Sequence, residues 1–130
     1  MLATYLDSSA LVKLVVNESE SSALRRYLRR RRPLVSSALA RTEVLRAVFL
    51  EGDEGMARAR DVLSSVELVR LNNRLLEAAG VLQPHDVRPL DAIHLATAHQ
   101  LGSDLGVLVT YDDKMLQAAR AMRLRTHAPN

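Results

Sequence analysis

Short apolar runs alternate along this chain with longer stretches whose apolar residues recur at helical spacing. Runs typical of strands occupy residues 2–6, 33–37, 66–70 and 106–110, with a last edge strand at 124–127. Helices are predicted over residues 9–16, 18–32, 37–52, 54–65, 72–82, 89–102 and 112–122. Strands separated by helices of this length favour a parallel sheet. We therefore predict an α/β fold with a central parallel sheet of four to five strands flanked by helices on both faces.

Length and composition limit the chain to a few classes of protein. A single core typically spans about 100–200 residues, so these 130 residues are predicted to form one domain, 1–130. The absence of cysteine excludes disulfides and thiolate metal sites. No apolar run approaches the roughly 18 residues of a membrane span, and the N-terminus lacks the basic region of a signal peptide. We expect a soluble, cytoplasmic protein without a membrane partner.

Arginine dominates the basic residues: sixteen Arg stand beside two Lys, and the net charge is +3. Arginine binds phosphate bidentately, so this composition permits a nucleic-acid partner, although a GC-rich genome also produces it. The Arg25–Arg32 cluster fits either the solvated end of a helix or a phosphate-binding ridge. Arg41 and Arg46 flank Glu43 and are better placed to bind RNA.

Four acidic residues lie where a predicted strand ends or in the first turns of the next helix: Asp7, Glu43, Asp91 and Asp112. In a parallel α/β sheet these positions share one edge, where ligands bind, so the four side chains are expected to converge. Each aspartate also fits a purely structural role as an N-cap or beside a helix dipole, worth about 0.3–1 kcal/mol. Glu43 lies too deep in its helix to cap it.

Carboxylates that converge at one edge repel each other unless a cation lies between them. Mg²⁺ and Mn²⁺ prefer oxygen ligands and usually keep several waters. Such an ion activates water and neutralises charge on a phosphoryl oxygen, while arginines attract a phosphate polymer. An acidic metal pocket on a basic protein therefore suits phosphodiester hydrolysis.

Four segments in series resemble the PIN domain and, more narrowly, the VapC toxins of bacterial type II toxin–antitoxin modules. They span nearly the whole chain and read YLDSSALVK, SSALARTEVLRA, PLDAIHLATA and LVTYDDKML. The resemblance implies a PIN-like, Mg²⁺- or Mn²⁺-dependent endoribonuclease that hydrolyses RNA with metal-activated water. It also implies a homodimer, a VapB-type antitoxin as partner, and tRNA, rRNA or mRNA as substrate.

By the same resemblance, the four acidic residues match the acidic quartet of the family. Asp7 and Asp91 are the implied metal ligands. Glu43 and Asp112 would complete the pocket through water or a second ion, and help to orient the attacking water. The number of ions, the RNA and its cleavage site are left open.

Neighbouring positions are assigned supporting roles. Ser9 and Thr110 match small polar positions that support the carboxylates. Asp113 directly follows Asp112, so either carboxylate could face the pocket, and the Thr-x-Asp spacing from Thr110 favours Asp112. His94, on the same predicted helix as one of the metal ligands, is interpreted as a hydrogen-bonded packing residue.

The main alternative is a non-catalytic PIN-like module that binds RNA or a protein. Phosphatases of the haloacid dehalogenase type need a second Asp two places after the first, where this chain has Ser9. A receiver domain needs a phospho-acceptor Asp after its mid-chain strand, and VELVRLNN has none. An apolar stripe fits either core packing or a dimer or antitoxin interface: Leu39, Val44, Val48, Phe49 and Leu50.

Overall fold

The computed structural model describes residues 2–130, whose five strands form one parallel sheet. The strands are β1 (Ala3–Leu6), β2 (Leu34–Ser37), β3 (Glu67–Val69), β4 (Leu105–Val109) and β5 (Thr126–His127). They lie in the order β3-β2-β1-β4-β5, so β1 is central. Leu6 at the end of β1 pairs with Val109 at the end of β4. The prediction of an α/β fold with a central parallel sheet is confirmed.

Helices cover both faces of this sheet. Within the described residues they are α1 (Ser8–Val15), α2 (Ser21–Leu28), α3 (Leu39–Ala47), α4 (Gly52–Ser64), α5 (Asn73–Gly80), α6 (Pro89–Gln100) and α7 (Asp113–Ala121). Helices α1 to α4 pack on one face, α6 and α7 on the other, and α5 packs against α6. The longest, α4, has 13 residues, and no helix across residues 2–130 is long and apolar enough to span a membrane.

The central strand is buried on both sides. Adjacent strand residues point to opposite faces, so Leu6 packs among α1 to α4 while Tyr5 packs with Leu95 and Leu108. The side chains of Tyr5 and Leu6 are both fully buried, and burial of a large apolar side chain contributes about 1.5–3 kcal/mol to folding. Burial on both faces explains why the segment Ala3–Leu6 contains no charged residue. It also holds the end of β1 in place within the core.

Helix α2 is shorter than the predicted helix 18–32. It begins at Ser21, whose buried hydroxyl donates to the carbonyl of Lys13, and it ends at Leu28. The four arginines that follow are exposed and lie outside the helix. The chain must turn there to enter β2, and Pro33 disfavours helical geometry at the residue before it.

The predicted helix 37–52 is also interrupted. Helix α3 ends at Ala47, a 3-10 turn covers Phe49–Glu51, and α4 begins at Gly52. Gly52 has a φ of +79°, a conformation that glycine adopts without steric strain, so it marks the break. The turn leaves Phe49 and Leu50 63% and 94% exposed.

Candidate active site at the carboxyl edge of the sheet

Asp7 directly follows β1 and is held by three donors. Its Oδ1 accepts hydrogen bonds from the Ala10 N–H at 3.0 Å and the Ser9 hydroxyl at 2.6 Å, which makes Asp7 the N-cap of α1. Its Oδ2 accepts a hydrogen bond from the Thr110 hydroxyl at 2.5 Å. Ser9 and Thr110 therefore contact the carboxylate as the sequence analysis expected of supporting residues.

The charge of Asp7 has no basic partner. The residue is 3% exposed, and no lysine or arginine among residues 2–130 forms an ion pair with it. Burial raises the pKa of Asp7, and the hydrogen bonds from Ser9 and Thr110 only partly oppose this effect. A buried carboxylate in this state is a strong candidate to bind a cation.

Asp112 is joined to Asp7 through Thr110. The backbone N–H of Asp112 donates to the Thr110 hydroxyl oxygen at 3.1 Å, and its Oδ1 caps α7 by accepting from the Met115 N–H at 3.0 Å. Asp113 lies in the first turn of α7 and is exposed. Of the two adjacent aspartates, Asp112 is therefore the one connected to the buried carboxylate.

Glu43 reaches the same edge from α3. Its Oε1 accepts a hydrogen bond from the Ser8 hydroxyl at 2.5 Å and lies 2.6 Å from Nε2 of His94. The other ring nitrogen of His94, Nδ1, lies 2.8 Å from the Tyr5 hydroxyl. His94 is 2% exposed and so connects the core to the half-buried Glu43.

The protonation states of Tyr5, His94 and Glu43 follow from their surroundings. Burial raises the pKa of Tyr5 far above its usual value, so its phenol is neutral and can donate to Nδ1 of His94. The Nε2–H of His94 then donates to Glu43. Burial alone would raise the pKa of Glu43, but the hydrogen bonds from His94 and Ser8 outweigh it, and the pKa is lowered. Glu43 is therefore a carboxylate at neutral pH.

Asp91, in the first turn of α6, is connected to Asp112 by an arginine. Nη2 of Arg88 lies 3.1 Å from Oδ2 of Asp91 and 3.3 Å from Oδ2 of Asp112. Arg88 is the extended residue before Pro89, the first residue of α6. Its guanidinium holds together two carboxylates from different helices.

Three of the four predicted acidic residues are thus linked at one edge of the sheet. Asp7 connects through Thr110 to Asp112, and Arg88 connects Asp112 to Asp91. Glu43 joins α6 through His94, one turn after Asp91.

His94 is a buried, hydrogen-bonded packing residue, as predicted from the sequence, whereas the contacts of Ser8 and Arg88 were not predicted. The i, i+3 spacing of Arg88 with Asp91 at a helix start is the signal that was available for the arginine. Arg41 and Arg46 are exposed on α3, and neither forms an ion pair within residues 2–130. Their assignment to RNA binding stays a prediction.

The donor set suits a hard divalent cation. It consists of carboxylate oxygens, without sulfur, around an edge where one buried carboxylate has no counter-ion. Within residues 2–130, however, no three Asp, Glu or His side chains stand close enough together to hold an ion. Arg88 and His94 already occupy oxygens of three of the four acids. The residues therefore fit Mg²⁺ or Mn²⁺ in type, and their side chains must adjust to coordinate it.

Sequence comparison identifies relatives over the full chain. The family model described as the PIN domain matches residues 4–121. Ribonuclease VapC46 of Mycobacterium tuberculosis is 55% identical over 130 residues, which are 100% of both chains. Ribonuclease VapC35 and Ribonuclease VapC47 of the same species are 40% and 35% identical, each over 96% of both chains.

Solved structures share the fold at lower identity. M. tuberculosis VapC20, described as a sarcin–ricin loop cleaving toxin, has a TM-score of 0.72 and 17% identity over 88% of this chain and 94% of its own. A toxin–antitoxin complex from Klebsiella pneumoniae has a TM-score of 0.69 and 23% identity, covering 87% of this chain and 89% of the other. At these sequence identities the similarity shows a shared fold and nothing further.

Proposed function

Because the chain belongs to the PIN domain family, and within it to the VapC proteins, we propose that it is a metal-dependent endoribonuclease and the toxin of a VapBC-type toxin–antitoxin module. Relatives over 96–100% of their length are named ribonucleases, which supports an RNA-cleaving hydrolase. The observation that carries the proposal is the buried, unpaired carboxylate of Asp7, linked by hydrogen bonds and ion pairs to Asp112 and Asp91.

Mg²⁺ or Mn²⁺ is the proposed cofactor, with Asp7 and Asp91 as its ligands and Glu43 and Asp112 completing the pocket. A divalent cation in such a pocket supplies positive charge that activates water and stabilises a phosphoryl oxygen. The rigid end of β1 positions Asp7, and the N-caps of α1 and α7 fix the backbones that carry the acids. The edge therefore brings together carboxylates that repel each other without a cation.

Glu43 is proposed to orient the attacking water and to accept its proton. Ser8 and His94 hold its carboxylate in place, and its lowered pKa keeps it ionised at neutral pH, so that it can accept a hydrogen bond from water. The oxygen of the water would bond to phosphorus while one P–O bond of the RNA backbone breaks, and the departing oxygen would take up a proton from solvent. Arg41 and Arg46, exposed on the same helix as Glu43, are proposed to bind the RNA backbone.

The function is tested by incubating the purified protein with total RNA and tRNA in Mg²⁺, Mn²⁺ or EDTA. Cleavage at discrete sites is expected with either metal and is expected to stop in EDTA. Asp91→Asn should lower the rate about 1,000-fold, because a lost ligand removes several kcal/mol of transition-state stabilisation. Asp113→Asn, which changes an exposed neighbour of Asp112, should retain the activity.

Two results would contradict this function. Cleavage by Asp91→Asn at the wild-type rate would show that this acidic pocket does not catalyse the reaction. An absence of both cleavage and metal binding by the wild-type protein would support the non-catalytic RNA- or protein-binding alternative, and calorimetry with Mn²⁺ measures the second property directly.

A VapB-type antitoxin is the proposed protein partner, supported by the similarity to a chain of the Klebsiella toxin–antitoxin complex. Of the predicted apolar stripe, Val44 and Val48 are fully buried and belong to the core, whereas Phe49 and Leu50 are exposed. This exposed pair is the part available to a partner. A homodimer is also proposed, from the family resemblance, and light scattering of the purified protein measures it.

Leu50→Asp is expected to weaken co-purification with the adjacently encoded antitoxin at least tenfold without lowering the melting temperature. Leu50 is 94% exposed, so a charge there leaves the core intact while opposing an apolar contact. Asp61→Asn, at another exposed position, serves as the matched control. Undiminished capture of the antitoxin by Leu50→Asp would place the interface elsewhere.

A further inference from the structure

Arg88 lies where a cation is expected. Its Nη2 is 3.1 Å from Oδ2 of Asp91 and 3.3 Å from Oδ2 of Asp112, and its Nε also contacts Asp91 at 3.1 Å. Asp91 lies in α6 and Asp112 is the N-cap of α7, and Arg88 is the basic residue that pairs with both among residues 2–130. A single guanidinium thus lies against both acids and offsets part of their negative charge.

The ion pairs of Arg88 are of a kind that exchanges easily. Its side chain is 66% exposed, and those of Asp91 and Asp112 are 19% and 29% exposed, so solvent competes for the contacts. The side chain of Arg88 makes no cap hydrogen bond to α6. The backbone of Arg88 is extended and is followed by Pro89, whose ring restricts the backbone. The guanidinium can therefore move away from Asp91 and Asp112 by rotation of its own side-chain bonds.

A divalent ion and the guanidinium compete for the same carboxylate oxygens. Both contacts of Arg88 reach Oδ2 atoms of acids that the proposed function places in the metal pocket. A cation bound directly by an oxygen at about 2.1 Å excludes an N–H donor from the same lone pair. A bound cation would also repel the positive guanidinium, so metal binding favours at least partial release of Arg88.

We propose that Arg88 is a built-in counter-ion of the metal site, which holds Asp91 and Asp112 together in the metal-free protein and is displaced when a divalent cation binds. The inference rests on the proposed function and extends it to a residue with a positioning role. Arg88 pairs with two like-charged groups that would otherwise repel each other, and it competes with the metal for them.

The test is metal affinity, measured by calorimetry with Mn²⁺ and without RNA. Arg88→Ala is expected to bind Mn²⁺ about three- to tenfold more tightly than wild type, the scale set by losing two exposed ion pairs. Arg88→Lys should restore part of the competition. Arg74→Ala, which removes an exposed arginine with no ion pair in the described chain, should bind as wild type does.

An affinity of Arg88→Ala that equals or falls below that of wild type overturns the proposal, because Arg88 would then not compete with the metal. A second measurement needs no variant: the Nε–H signal of Arg88 in NMR spectra should move towards that of a free arginine as Mg²⁺ is added. An unmoved signal at saturating Mg²⁺ also overturns it.

The outcome separates this inference from the proposed function. If wild type binds Mn²⁺ at a site that Asp91→Asn removes but Arg88→Ala does not bind more tightly, only the role of Arg88 fails. If wild type binds no Mn²⁺ at all, the metal-dependent function fails and this inference fails with it.

Discussion

Asp7→Asn is expected to abolish RNA cleavage and, at the same time, to leave the metal-free protein at least as stable as wild type. Loss of a metal ligand should reduce the rate by about 1,000-fold or more. The asparagine oxygen can still accept from Ser9 and Ala10, so the N-cap of α1 survives. The substitution removes a buried charge with no lysine or arginine partner among residues 2–130, whose burial is unfavourable. At the Oδ2 position the asparagine amide can donate to the Thr110 oxygen, in place of the acceptor that Thr110 loses.

The stability difference should depend on pH in a defined direction. Burial raises the pKa of Asp7 in the folded state above that of the unfolded chain, which is about 3.9. Between the unfolded and the folded pKa, Asp7 is protonated in the native state and ionised in the unfolded chain. The stability that comes from this proton is therefore complete below the unfolded pKa. It is lost as pH rises through the folded pKa. Asp7→Asn should lack this loss.

The measurement is urea denaturation of both proteins in EDTA from pH 3 to pH 8, beside RNA cleavage in Mg²⁺. Asp53→Asn, at an exposed acid in the first turn of α4, controls for the loss of one negative charge. A metal-free Asp7→Asn that is clearly less stable than wild type at neutral pH would show that the Asp7 charge is well compensated. That result would remove the main physical argument for a cation at this edge.

His94→Ala is expected to lower the free energy of unfolding by about 2–4 kcal/mol and also to reduce cleavage. His94 is almost fully buried, so its removal leaves a cavity. It also leaves the hydroxyl of Tyr5 without its partner inside the core. Glu43 then keeps only the hydrogen bond from Ser8, so its carboxylate is held less firmly in the position that the proposed function requires.

Two further variants separate packing from positioning. His94→Gln keeps amide groups that can bond to Tyr5 and Glu43, and it should recover part of the stability and activity. His99→Ala, at an exposed histidine of the same helix, should change stability by less than about 0.5 kcal/mol. Denaturation curves and single-turnover cleavage rates measure both effects. Equal stability of His94→Ala and His99→Ala would contradict the role assigned to the buried histidine.

Much of the fold was predictable because it depends on local signals. The apolar runs of β1 and β4 are short and uninterrupted, as buried parallel strands require, and the helices between them carry clear apolar periodicity. Helix ends were harder. Helix α2 stops at Leu28 because the chain must turn into β2, a requirement that the arginine-rich sequence does not contain.

The candidate site was likewise predictable in part. That Asp7, Glu43, Asp91 and Asp112 share one edge followed from their places after strands or in early helical turns. Their partners did not follow, because Glu43 and His94 are 51 residues apart and Arg88 and Asp112 are 24 apart. Such contacts depend on how α3, α6 and α7 pack on the sheet.

The sequence by itself therefore determined the strand and helix order, the family, and the edge at which the acids gather, because periodicity and strand-end positions are local properties. Only the tertiary structure decided that Asp112 rather than Asp113 is joined to Asp7. It alone showed that Asp7 is buried with no lysine or arginine partner among residues 2–130, and that Arg88 pairs with Asp91 and Asp112. Hydrogen bonds and burial depend on distances between segments remote in sequence, and the register that pairs Leu6 with Val109 sets those distances.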